Sequence, residues 1–400
     1  MTRGARSIAR RSFLAQSAAA LLSTTLASCS LGGRKTPAET SARAPGLQLE
    51  PLRATPDRIT AITVCTRPFR AQGPRLDVEQ LAGKTIVHNY GHGGSGWSLS
   101  WGSSAIAVDK AMANGERQIA VIGCGAMGLT SALLLQRSGA RVTIYARDLP
   151  PNVRSSLATG LWTPDSRICF EQYATPAFKQ LWEGMVRRSF GTYQTLLGLP
   201  ANPVEFIDLY WVSDTAGSSP RTLAGDDPRP RFADLQRELV PDLMTRSEEF
   251  APGSHSLGER YLRRNAQMMF NLSAYTRTLL SDYLANGGQL QITEFQTPAD
   301  FARVRERVLI NATGYGARAL FNDQSITPVR GQLARAIPDP RVDYGLIYNG
   351  VAFVPRRDGL VFQVIGDDDY YGFGDETTTP NRAEAELAVN TIAALYRSPP

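Results

Sequence analysis

The chain has 400 residues, 42% apolar, 8% aromatic and 20% charged, enough to bury one large core or two modest ones and too apolar for a disordered or fibrous chain. Four cysteines with no Cys-x-x-Cys spacing and only three histidines leave little for a zinc site or a disulfide scaffold. Of 43 basic residues, Arg3, Arg6, Arg10 and Arg11 lie in an acid-free start; the other 39 face 37 acidic ones, which is no footprint for nucleic acid.

Residues 1–28 read as an export signal, with arginines, a mostly apolar run from Phe13 to Ala27 and then small residues. The run is too short for a membrane-spanning helix. Arg10-Arg11-Ser12-Phe13-Leu14 resembles a twin-arginine signal, whose translocase carries folded proteins. Leu26-Ala27-Ser28-Cys29 resembles a lipobox, which makes Cys29 the lipidation candidate. Residues 29–48, with Gly, Pro, Ser and Thr, read as a flexible tether. The expected location is the periplasmic side of a bacterial membrane, held by the lipid alone.

Next comes Ile86-Val87-His88-Asn89-Tyr90-Gly91-His92-Gly93-Gly94-Ser95-Gly96-Trp97-Ser98-Leu99-Ser100-Trp101-Gly102. Five glycines within residues 91–102 permit unusual backbone angles and close approach to a ligand, while Trp97 and Leu99 can enter a core. A short helix is expected over Ser103–Met112, its first amides open to an electron-rich oxygen.

Gln118–Ile122 reads as a buried strand, followed by Gly123-Cys124-Gly125-Ala126-Met127-Gly128, a helix over Leu129–Arg137 stopped by Gly139, and a second strand over Arg141–Ala146. This order lifts a GxGxxG motif above chance. One glycine makes the tight turn, one admits a pyrophosphate and one lets the helix sit on the strand. Arg147 after the second strand suits a 2′-phosphate and Asp148 a ribose, so the residues alone leave NADP open. Cys124 reads as a small space-filler. Further on, a helix is expected over Asn271–Asn286, with Asn271 as cap and Gly287-Gly288 as stop, then a strand over Leu290–Phe295 and a helix over Ala383–Tyr396.

The HNYGHGGSGW segment is similar to the best-known signature of the D-amino-acid oxidase family. Gly160-Leu161-Trp162, Asn311-Ala312-Thr313-Gly314, Arg330-Gly331-Gln332 and Arg67-Pro68-Phe69-Arg70 resemble further family landmarks. The resemblance runs from about Leu49 to Tyr396 and implies FAD as cofactor. It also implies an α/β fold in which a Rossmann-like FAD-binding domain with a parallel sheet is interleaved with an antiparallel substrate domain. The family's order is reversed here, since its GxGxxG opens the chain and its HNYGHGG closes it. A circular permutation accounts for this, with a joint near Asn114-Gly115-Glu116. Residues 49–112 then correspond to the family's C-terminal part and 117–168 to the FAD-binding βαβ unit. Residues 169–271 and 323–396 form the substrate domain, and 272–322 the second part of the FAD domain.

The family transfers a hydride from the substrate Cα to flavin, with oxygen as acceptor, so the resemblance implies oxidation of D-amino acids to imino acids and hydrogen peroxide. No catalytic acid or base is implied. The matching substrate residues are Arg67 for the carboxylate, Tyr348 as a mobile tyrosine over the pocket, and the Gly94 carbonyl for the amine. Flavin and phosphate contacts fall on Gly123, Gly125, Ala126, Met127, Gly128, Arg147, Asp148, Gly160, Leu161 and Phe295, and on Gly93, Gly94, Ser95, Gly96, Trp97 and Ser98. A metal is not expected. His88 and His92 read as structural and His255 as solvated. Two departures stand out: Ala352 where the family places a second pocket tyrosine, and Arg147 ahead of Asp148. A lipid tether also suits a dehydrogenase passing electrons to a membrane quinone, and Ala352 suits a flavin binder without turnover. A homodimer is compatible with the family.

Overall fold

The computed structural model describes residues 46–217, 223 and 225–397. The export-type leader, Cys29 and the tether as far as residue 45 lie outside the described residues. Leu47 already donates its N–H to the Ser254 carbonyl at 3.1 Å and pairs with His255, two residues ahead of the Leu49 boundary. His255 is buried, its Nδ1 accepting from the Leu257 N–H at 3.2 Å, so the expectation of a solvated histidine is corrected.

In chain order, β1 (Ile59–Arg70), β2 (Val78–Leu81) and β3 (Lys84–His88) lead into α1 (Gly96–Met112). After the joint come β4 (Gln118–Ile122), α2 (Ala126–Arg137), β5 (Arg141–Ala146), α3 (Pro176–Gln194) and β6 (Val204–Ser213). A single turn, α4 (Gln236–Leu239), precedes β7 (Glu248–Phe250), β8 (Tyr261–Phe270), α5 (Leu272–Ala285), β9 (Gln289–Ile292) and β10 (Val308–Asn311). The chain ends on the short α6 (Ala317–Leu320), β11 (Ile326–Ala336), β12 (Tyr344–Tyr348), β13 (Val351–Arg356), β14 (Gly359–Val364) and α7 (Arg382–Ala393).

These strands form two sheets, giving an α/β fold. The six-stranded sheet runs β2-β3-β10-β4-β5-β9 and is parallel except for β2 at its edge. Both of its faces are covered, which is why β4 reads as an unbroken apolar run. Ile119 and Val121 pack into the core shared with α1, α2 and α5, whereas Ala120 and Ile122 meet Phe301 and Leu309 on the other side. β10 lies between β3 and β4, so strands from either side of the joint share one partner. The body's two ends meet at Tyr344, whose hydroxyl donates to the Glu50 carbonyl at 2.5 Å and lies 2.5 Å from the Tyr396 hydroxyl.

The eight-stranded sheet runs β1-β11-β14-β13-β12-β6-β8-β7, antiparallel except where β12 meets β6. One face packs Leu346, Tyr348, Val351 and Phe353 against Ala388, Val389 and Ile392 of α7. The other face bounds a cavity.

Helix α2 begins at Ala126, three residues before the expected Leu129, and α1 and α5 depart in other ways. α1 begins at Gly96, seven residues before Ser103. Its glycines and serines are weak helix formers, so the helix is held by tertiary contact. Trp97, Leu99 and Trp101 are buried, and the absent side chain of Gly102 lets α3 approach, since a Cβ there would lie 2.2 Å from the Met185 carbonyl oxygen. Asn271 does sit at the cap of α5, but its side chain makes no cap bond. Its Nδ2 donates to the Asn202 carbonyl and to Glu205, both at 2.6 Å.

Candidate active site

The turn after β4 opens into a cavity of about 970 Å³ bounded by Gly123, Gly125, Ala126 and Met127. Gly123 sits at φ +108°, where a Cβ would also stand 2.6 Å from the Ala312 carbonyl oxygen, so only glycine closes this turn. Gly128 does not line the cavity. A Cβ there would fall 2.0 Å from the Gly123 carbonyl oxygen, so it is the glycine that seats α2 on β4. The α2 N-terminus faces the cavity and supplies positive potential for an anion.

Arg147, Asp148 and Phe295 line the far end. Arg147 pairs with Asp148 at 2.8 Å and with Glu294 at 3.3 Å. Glu294 also lines the cavity, a second acid that sequence reading missed because it follows a short, half-exposed strand. At the near end stand Gly93, Gly94, Gly96 and Trp97. Ser95 does not line it. It is buried, with its hydroxyl donating to the Ser166 carbonyl at 3.0 Å.

A second cavity, of about 1150 Å³, lies against the eight-stranded sheet and takes in Ser98, Gly160 and Leu161. Arg67, Gly94, Trp97 and Ala158 line both spaces, so the two cavities meet at these residues. Arg67, on β1, donates one N–H to the Arg330 carbonyl at 3.2 Å and has no ion-pair partner among the described residues. Gly331 makes room for it, because a Cβ there would lie 2.5 Å from its Nη2.

Ile347 and Ala352 face each other across β12 and β13 and line the second cavity. Tyr348, one residue on, therefore points to the opposite face. Its hydroxyl donates to Asp214 at 2.9 Å and its ring stacks under Arg260 at 5.8 Å. The expectation of a tyrosine over the pocket is corrected for Tyr348, and the strand's alternation is the reason.

The titratable groups nearby are quiet. Burial pushes the His92 pKa down to about 3, and its Nε2 lies 2.7 Å from the Ser103 hydroxyl. His88 is also lowered by burial. It ties β3 to its neighbours, with Nε2 at 2.9 Å from Glu79 and Nδ1 accepting from Asn311 at 3.1 Å. Cys124 is buried and its thiol is pushed up to about 12. Cys65 and Cys169 are likewise free and buried. Among the described residues, no group of His, Cys, Asp and Glu could hold a metal ion. Asp165 bounds the second cavity and accepts the Leu235 and Gln236 N–H groups at 3.1 and 2.9 Å. Burial pushes its carboxyl up to about 6.

Residues 118–399 match the family described as DAO, FAD dependent oxidoreductase, a match that begins at the first residue of β4. The chain belongs to this family. Its cofactor is therefore FAD, and the first cavity fits one: a glycine turn that admits no Cβ at Gly123, a helix N-terminus beside it, and an opening at Arg67 onto a second space. The D-amino-acid oxidase of Rubrobacter xylanophilus is 27% identical over 284 residues, 69% of this chain and 76% of that one. The D-amino-acid oxidase of Streptomyces coelicolor is 25% identical over 286 residues, covering 70% and 78%. Among solved structures, glycine oxidase from Bacillus cereus aligns with a TM-score of 0.44 at 12% identity, covering 69% of this chain and 77% of that chain. No helix among the described residues is long and apolar enough to cross a membrane.

Proposed function

We propose that this flavoenzyme oxidises D-amino acids at Cα, yielding an imino acid that water converts to a 2-oxo acid and ammonia, with oxygen reduced to hydrogen peroxide. The observation that carries the reading is Arg67, an arginine without an acid partner among the described residues, standing where the two cavities meet. When bound, FAD supplies the two-electron acceptor for the Cα hydride. Arg67 has N–H groups left for a carboxylate, and a planar guanidinium can grip both carboxylate oxygens at once. The Gly94 carbonyl borders the same junction and can accept from the substrate amine. Arg67 on one side and Gly94 on the other would hold Cα between them, fixing which hydrogen faces the flavin cavity. Since His88 and His92 are buried and held neutral, positioning rather than side-chain proton transfer carries the chain's contribution. The curated relatives named D-amino-acid oxidase support the choice of enantiomer.

The reading includes a circular permutation, supported by the family match starting at β4, the short joint between α1 and β4, and the meeting of Glu50 and Tyr396 at Tyr344. It also includes export by the twin-arginine route and lipidation at Cys29, supported by the leader's sequence. Adding D- and L-amino acids anaerobically to the purified chain tests the central claim. Bleaching of the flavin band by D-enantiomers alone is expected, and a yellow protein that no amino acid bleaches would falsify it. Peroxide release on admitting air then separates an oxidase from a quinone-linked dehydrogenase.

A further inference from the structure

Four arginines line the flavin cavity. Arg147 is paired with Asp148 and Glu294, and Arg318 with Glu376 at 3.5 Å. Arg67 is accounted for by the substrate junction. The fourth, Arg154, has no carboxylate partner among the described residues. Its guanidinium carbon lies 5.3 Å from the centre of the Tyr315 ring, and the Tyr315 hydroxyl donates to Glu376 at 3.0 Å. An arginine facing a concave space, stacked on one side and with no ion pair among the described residues, is arranged to receive an anion.

Its position is fixed from two directions. Arg154 opens a short 3₁₀ turn, Arg154–Leu157, and the next residue, Ser155, is clamped on both sides. The Trp97 indole N–H of α1 donates to the Ser155 carbonyl at 2.7 Å, and the Ala126 N–H, in the first turn of α2, donates to the Ser155 hydroxyl at 3.1 Å. The turn is thus bolted to the glycine loop itself, and Arg154 cannot drift from the α2 N-terminus without breaking these bonds. Burial, first, and then the nearby Arg147 disfavour the charge on Arg154, and the more distant pull of Tyr315 and Asp148 offsets them only in part; a bound anion would favour the charge further.

We infer that Arg154 is a phosphate-binding residue of this chain, its guanidinium donating to the pyrophosphate of FAD opposite the α2 N-terminus. This rests on family membership and not on the choice of amino-acid substrate, so it stands or falls separately from the oxidase reading. It assigns the charge-bearing contact to the turn after β5, where the glycine motif alone would place only backbone amides.

The test is cofactor affinity rather than turnover. The full chain, stripped of flavin, is titrated with FAD, FMN and riboflavin, following flavin fluorescence, for the unmodified protein, Arg154→Gln and Arg154→Lys. Arg154→Gln is expected to weaken FAD by about 10- to 100-fold, the loss of one charge-assisted contact. Riboflavin, which has no phosphate, should bind unchanged, and Arg154→Lys should recover part of the FAD affinity. The unmodified protein should also lose FAD affinity more steeply with added salt than Arg154→Gln. An FAD affinity within twofold of the unmodified protein overturns the inference. So does an equal loss for riboflavin, which would mark Arg154 as a structural prop for Tyr315. If Arg154→Gln does not fold, as judged by melting of the apoprotein, Arg154→Met takes its place in the FAD and riboflavin titrations and in the salt series, with the same outcomes supporting or overturning the inference.

Discussion

The two cavities that meet at Arg67 are built from different materials. The flavin cavity has at its neck a glycine turn, a helix end, and strand ends of a parallel sheet whose register is fixed by neighbours on both sides. The second cavity is bounded on its sheet side by side chains that alternate along strands, such as Ile347 and Ala352, so one residue's shift sends a side chain to the opposite face. Backbone walls depend on a few residues and tolerate nothing larger there. Side-chain walls can be re-cut one position at a time, which is how a shared flavin site comes to serve different substrates.

The sharpest way to separate the two regions is Arg67→Met. Losing up to two charge-assisted bonds to a carboxylate should lower kcat/KM by about 10²- to 10⁴-fold, while the bound flavin and its spectrum stay as they are. Co-loss of the flavin would show that the walls are not independent. Gly128→Ala attacks the other wall. Forcing a Cβ against the Gly123 carbonyl oxygen should cost about 1–3 kcal/mol, read as a lower Tm and less flavin retained on purification, with KM for substrate little changed in the molecules that keep it.

Asp165 offers a pH-dependent contrast on the substrate side. Its carboxyl is raised to about 6 in the folded state, so the native chain holds a proton there that the unfolded chain releases near pH 4. The stability it contributes is full below about pH 4 and is lost as pH rises through 6. Asp165→Asn keeps an oxygen for the Leu235 and Gln236 N–H groups and cannot ionise. Its urea stability should therefore match the unmodified protein near pH 4 and exceed it by about 3 kcal/mol near pH 7. A constant difference across that range would break the assignment. The smallest effect is expected from Ala352→Tyr: filling the wall opposite Ile347 should lower kcat/KM for bulky D-amino acids about tenfold more than for D-alanine, and an unchanged substrate profile would remove Ala352 from the pocket.

Legibility followed the same division. The β4-α2-β5 unit and its strand limits could be read directly, because each glycine answers a local steric demand and the apolar runs match sheets buried on both faces. Arg67 and Ala352, both on the lining of the second cavity, were singled out by the resemblance of their surrounding motifs. Tyr348 was misplaced because the phase of a five-residue strand is set by partners on β6 and β13 that no local pattern reveals. The start of α1 was missed because Gly96 to Ser104 have poor helix propensity and are helical only against α2 and α3. Arg154 and Ser155 gave no signal, since a clamp made by Trp97 and Ala126 exists only once the chain has folded.

β10 is synthesised long after β3 and β4, yet it occupies the lane between them. Until Asn311 arrives, to bond His88 and to accept the Asn89 N–H at 2.9 Å, the two early strands have no common partner and the glycine turn has nothing to face. The nascent chain thus carries two open strand edges through most of its elongation, which favours aggregation unless a chaperone covers them. Flavin loading becomes a late event, licensed by the last third of translation rather than by the segments that touch the cofactor first.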